Sequence, residues 1–100
     1  MGKKGCPVEH TANVIGGKWT LLILRDLLDG TKRFGELRAS LSGISPKTLS
    51  ERLRILEQEG IVVRKIYPEV PPRVEYSLTK HGQTLEPIFE AMREWGAQRV

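Results

Sequence analysis

The sequence predicts a mainly α domain with one small β-hairpin, an α+β arrangement, and three observations carry that prediction. Apolar side chains recur at helical spacing in five separate segments. Two β-branched or alternating runs, "IVVRKIY" and "RVEYSL", follow one another across the proline-rich break "PEVPP". The 100 residues, 39% hydrophobic and 28% charged, are enough for a single core. Residues 1–100 are therefore read as one domain without repeats, linkers or low-complexity segments.

Each element has a local cause. Cys6 followed by Pro7 reads as a cap with proline at the first helical position, and Val8, Ala12 and Ile15 form an i, i+4, i+7 stripe that ends at Gly16 and Gly17. Lys18 to Leu28 carries two apolar rows, Trp19, Leu22 and Ile23 on one side and Leu21, Leu24 and Leu28 on another, as expected of a central helix covered on most sides. Asp29 and Gly30 end it. Thr31 to Phe34 is a short extended piece, and Glu36 to Leu41 is a brief third helix packing through Leu37 and Leu41.

The fourth helix has the clearest signals. Ser45 can cap free backbone N–H groups, Pro46 needs no donor at that place, Leu49, Leu53 and Leu56 form the buried stripe, and Gly60 stops the helix. In "RVEYSL", Val74, Tyr76 and Leu78 point inward and Arg73, Glu75 and Ser77 outward. The cluster "YPEVPPR" is flanked by strands, so it is read as a hairpin tip and not as a polyproline ligand. Thr79 caps a last helix in which Leu85, Ile88, Met92 and Trp95 follow heptad-like spacing, with Pro87 kinking or restarting its first turns.

Charge points to a polyanionic partner. The net charge is +4, and it is unevenly spread: residues 1–38 hold seven basic and four acidic side chains, residues 39–80 seven and five, residues 81–100 two and three. "WTLLIL" is too short to span a bilayer and "MGKKGCPVEH" lacks the apolar segment of a signal, so a cytoplasmic location and no membrane partner are expected. One cysteine excludes an internal disulfide. The two histidines stand alone, Cys6 and His10 offer only two metal ligands, and no nucleophile set, phosphate-cradling loop or carboxylate pair is evident. The chain is therefore read as neither an enzyme nor a metal or cofactor protein.

The element order is helix, helix, short strand, helix, helix, strand, strand, helix, which is that of a winged helix-turn-helix with an extra helix at each end. In such a pair the second helix enters the major groove of duplex DNA and its first turns meet base edges. Lys47, Thr48, Arg52 and Arg54 are left off the leucine stripe; Ser45, Lys47, Thr48 and Arg52, with Glu51 beside them, lie on the opposite face and are the expected contacts, while Arg73, Arg64 and Lys65 on the hairpin are placed for phosphates or the adjacent minor groove. Leu85, Ile88, Phe89, Met92 and Trp95 form an apolar row too long for so small a domain, so the terminal helices are expected to form a homodimer interface. A winged helix used as a protein–protein interaction module, without sequence-specific DNA binding, is the alternative.

The segments "CPVEHTANVIGGKWTLLIL", "RFGELRASLSGISPKTLSERLRILEQEGIV", "YPEVPPRVEYSLTKHG" and "REWG", in this order and spacing, resemble the HxlR-type family of bacterial winged-helix transcription regulators, relatives in fold of MarR-type proteins. The resemblance covers nearly the whole chain. It implies a homodimer on a twofold-symmetric operator that represses or activates a neighbouring gene, with DNA contact by Ser45, Lys47, Thr48, Arg52, Arg73 and Arg33 or Lys32. Gly35 stands where many relatives have a polar capping residue. The resemblance also makes Cys6 a candidate thiol sensor of oxidants or electrophiles, and its position at a helix start near Lys3 and Lys4 favours thiolate reactivity.

Overall fold

The computed structural model describes residues 5–99. Six helices and three strands follow in the order α1 (Pro7–Ile15), α2 (Lys18–Leu28), β1 (Lys32–Arg33), α3 (Phe34–Ser40), α4 (Pro46–Gln58), β2 (Val62–Tyr67), β3 (Arg73–Leu78), α5 (Lys80–Gln83) and α6 (Glu86–Ala97). Ile23, Leu24 and Leu27 of α2, Leu37 and Leu41 from the α3 region, and Leu49, Leu53 and Leu56 of α4 meet in one core, closed from below by Tyr76 and Leu78 of the sheet and by Leu85 and Phe89.

The short extended piece is a true strand. β1 pairs antiparallel with β3, giving a sheet of order β1-β3-β2 in place of a lone hairpin. That pairing extends the sheet by an edge strand of two residues, too short for any periodicity to announce it. The hairpin itself has the expected tip, with Val62 opposite Leu78, Arg64 opposite Tyr76 and Tyr67 opposite Arg73.

Two boundaries and one burial pattern depart from the sequence reading. Helix α3 starts at Phe34, two residues early, with Arg33 as its cap: the Arg33 N–H donates to Glu36 Oε1 at 2.8 Å, so Gly35 lies inside the first turn and is not the cap. The last helix is two, because Thr79 caps a four-residue α5 and the chain restarts at Glu86 with Pro87 in the first turn of α6. On α1 only Ile15 enters the core, while Val8 and Ala12 remain exposed.

Two glycines fix how α4 meets the sheet. Gly60, at φ +76°, takes the left-handed conformation that ends α4, with its own N–H on the Glu57 carbonyl and that of Ile61 on the Leu56 carbonyl. Gly82 of α5 lies so close to the Ile61 carbonyl that a Cβ would clash with it. Thr79 completes the junction: its Oγ1 accepts from the Gly82 N–H and donates to the Gly60 carbonyl at 2.6 Å. The end of α4 and the base of the hairpin are thereby joined.

Candidate nucleic-acid interface

Helix α4 presents its start to solvent. Ser45 Oγ accepts from the Thr48 N–H and donates to Thr48 Oγ1, both at 3.0 Å, and Pro46 occupies the first helical position. Leu49, Leu53 and Leu56 are almost fully buried. Lys47, Glu51 and Arg54 repeat the same i, i+4, i+7 spacing two residues earlier, about 200° around the helix, so they form the row opposite the leucines. Thr48, Arg52 and Ile55 form a flank between the two rows. Arg54, read from the sequence as off the stripe but not among the expected contacts, therefore belongs with the outward set; the offset of two residues from the leucine stripe is the signal for it. Among the described residues none of Lys47, Arg52 and Arg54 has a carboxylate within ion-pair distance.

The hairpin cations behave differently. Successive side chains on a strand alternate between faces, so Lys32, Tyr76 and Arg64 form one row across the three strands and Arg33, Glu75 and Lys65 form another on the opposite face. Arg33, Arg73 and Lys65 thus share the outer face with Glu75, while Lys32 and Arg64 lie on the face that carries Tyr76. Lys32 is half-buried, and Arg64 reaches Glu57 of α4 at 3.7 Å. Burial pushes the Tyr76 phenol above its ordinary 10.0, and the charge and hydrogen bond of Arg64 partly oppose that. Arg73 is clasped by two carboxylates, Glu69 and Glu75, each at 2.9 Å, and its guanidinium lies 3.9 Å from the centre of the Tyr67 ring.

The five expected interface residues divide in the same way. Leu85 and Phe89 are only 8% and 5% exposed and belong to the chain's own core, because they follow Leu78 at the point where α5 and α6 close over the sheet. Ile88, Met92 and Trp95 stay exposed, Trp95 to 65%. They line an open apolar groove with Pro87 and Ala91. Met92 also borders a second groove, formed with Pro7, Val8, Ala12 and Ile15 of α1. Cys6 is exposed and unpaired, and its Sγ accepts from the Glu9 N–H at 3.4 Å as the cap of α1. Lys3 and Lys4 lie outside the described residues.

No described helix is long and apolar enough to cross a membrane. Among the described residues no group of three or more His, Cys, Asp or Glu side chains could hold a metal ion. A core-backed helix with an uncommitted cationic face, beside a three-stranded wing, defines a winged helix-turn-helix DNA-binding protein.

Comparison with known proteins narrows that class. A family model described as HxlR-like helix-turn-helix matches residues 14–100, and the chain belongs to that family. The uncharacterized HTH-type transcriptional regulator YybR of Bacillus subtilis (strain 168) is 53% identical over 94 residues, which span 94% of this chain and 75% of that protein. The redox regulator HypR in its oxidized form superposes with a TM-score of 0.88 at 52% identity, covering 93% of this chain and 96% of that one. A protein described as a MarR-family transcriptional regulator from Porphyromonas gingivalis W83 gives 0.93 at 40% identity, covering 100% and 98%. The chain is accordingly a helix-turn-helix transcriptional regulator and not an enzyme.

Proposed function

We propose that the chain acts in the cytoplasm as a homodimer on a pseudo-palindromic operator, chiefly as a repressor, with α4 of each copy in the major groove. The observation that carries this reading is the cationic face of α4, where Lys47, Arg52 and Arg54 have no carboxylate within ion-pair distance among the described residues and a leucine stripe holds the helix from behind. Ser45, Lys47 and Thr48 in the first turn approach base edges and phosphates, Arg52 and Arg54 follow along the groove, and Arg33 contributes from the outer face of the sheet. Lys32 and Arg64 act at most at the margin, since the opposite sheet face holds them.

The partner copy covers α1 and α6. Ile88, Met92 and Trp95 are exposed large apolar residues in adjoining grooves with Val8, and burying them against a second copy would set two α4 helices roughly one DNA turn, about 34 Å, apart. Fluorescence anisotropy on an operator selected from the parent genome tests the reading, with sedimentation run in parallel. Affinity falling steeply with salt and a dimer at micromolar concentration are expected; a monomer, or salt-insensitive binding, refutes it.

Cys6 gives this regulator a thiol input. Its exposed sulfur caps α1, one of the two proposed dimer helices, and HypR, a solved relative, is named a redox regulator. Diamide lowers DNA affinity of the parent and leaves Cys6→Ser unchanged; equal loss in both removes Cys6 from that role.

A further inference from the structure

We propose that Arg73 is a positioning residue that sets the shape of the wing, and that it is not itself a phosphate contact. This rests on the DNA-binding reading above. Arg73 opens β3, directly after the tip, where its Nη2 meets Glu69 Oε2 and its Nη1 donates to Glu75 Oε2, both at 2.9 Å. Glu69 lies on the far side of the two tip prolines, Pro71 and Pro72, so one guanidinium joins the two ends of the loop. The Tyr67 ring covers its flat face at 3.9 Å, and Nε is buried without a partner. Tyr67 is also the residue paired with Arg73 in the strand register, which makes the clasp close the last rung of the hairpin.

Two physical consequences separate this role from phosphate binding. A phosphate approaching Arg73 meets a trio of formal charge −1, one guanidinium against two carboxylates, so Arg73 itself offers it little attraction and what remains on this face comes from Arg33 and Lys65, in register with Glu75. The clasp also uses properties that lysine lacks: a planar fork for two carboxylates and a flat face for the ring. Glu69 and Glu75, which a purely electrostatic view counts against DNA binding, become necessary for it.

That reversal of sign is the test. In the Glu69→Gln, Glu75→Gln double variant, removal of two negative charges raises affinity if Arg73 is a phosphate contact held in check. If Arg73 positions the wing, affinity falls by about tenfold, of the order of a coupled network. Arg73→Lys is expected to lose as much as Arg73→Ala, since a point charge replaces a phosphate contact but not the fork. Hydroxyl-radical footprints on the operator add a positional readout: protection beneath the wing is lost while protection beneath α4 persists. Hydrogen exchange of the free variants supplies a measurement independent of DNA, with amides of residues 64–76 exchanging faster than in the parent. Raised affinity in the double variant, full activity of Arg73→Lys, or unchanged exchange in the hairpin each overturns the proposal. Failure of the parent to bind any duplex, with faster hairpin exchange in the variants, would instead remove the DNA-binding reading and leave the clasp standing.

Discussion

Helix α4 and the wing carry similar numbers of basic side chains, yet the fold uses them in opposite ways. On α4, Lys47, Arg52 and Arg54 extend from a helix whose other side is occupied by Leu49, Leu53 and Leu56, and among the described residues no carboxylate lies within ion-pair distance of them, although Glu51 shares the row of Lys47 and Arg54. On the wing, Arg64 leans on Glu57 and Arg73 is held between Glu69 and Glu75. The difference teaches that a cation's availability depends on what lies across the nearest turn or strand. A helix with its acids confined to a few positions leaves its cations free, whereas the folded tip sets Glu69 and Glu75 against Arg73 and the turn after α4 sets Glu57 against Arg64.

Breaking the support of α4 should have the largest effect. Leu53→Ala removes a fully packed side chain from beneath the cationic row and is expected to cost about 2–5 kcal/mol of stability, read by urea unfolding. If the loss is below that range, the leucine stripe is not what holds α4 and the contrast with the wing weakens.

Lys47→Ala leaves the fold intact and tests the free face directly. Operator affinity should fall by about 1–3 kcal/mol if the ammonium meets a base, or more uniformly across sequences with the salt slope reduced by about one if it meets a phosphate. Ser45→Ala removes the cap to the Thr48 N–H, with an expected stability loss of about 1 kcal/mol by thermal unfolding, and tilts the start of the same helix. Arg64→Ala, on the committed side of the comparison, should change operator affinity by less than about 1 kcal/mol, because its partner Glu57 and a partly exposed position already limit its reach. A loss equal to that of Lys47→Ala would erase the distinction between the two regions.

The smallest effect is a pH dependence confined to the wing. Tyr76 is buried, so its phenol titrates above 10.0 in the fold and near 10 when unfolded. The neutral form is the one the fold favours; its contribution is fully present below the unfolded value and is lost as pH rises through the folded one. Urea midpoints measured from pH 9 to 11 should therefore decline more in the parent than in Tyr76→Phe, and parallel declines would assign the alkaline loss to other groups.

Much of the architecture was legible because its causes are local. Ser45, Pro46 and Gly60 delimit α4 through backbone chemistry that needs no tertiary partner, and the strand alternation from Val74 to Leu78 holds in three dimensions. The cationic face of α4 was legible for the same reason, with Arg54 already set off the leucine stripe though not counted among the contacts. What escaped detection was non-local. The pairing of Lys32 with Tyr76 joins residues 44 apart in the chain, and a two-residue strand has no period of its own. The apolar row of the last helix gave equal weight to Leu85, Ile88, Phe89, Met92 and Trp95, since spacing marks an apolar side without saying what covers it.

By itself, then, the amino-acid sequence determined where α1, α2 and α4 start and stop, which side of α4 is leucine and which carries lysine and arginine, and the family to which the chain belongs. Only tertiary structure decided that Leu85 and Phe89 turn into the core while Ile88, Met92 and Trp95 remain outside, and that Arg73 is spent on Glu69, Glu75 and Tyr67. Capping and periodicity act over a few residues and can be read along the chain. Burial and ion pairing depend on which segments the fold brings within a few ångströms of one another.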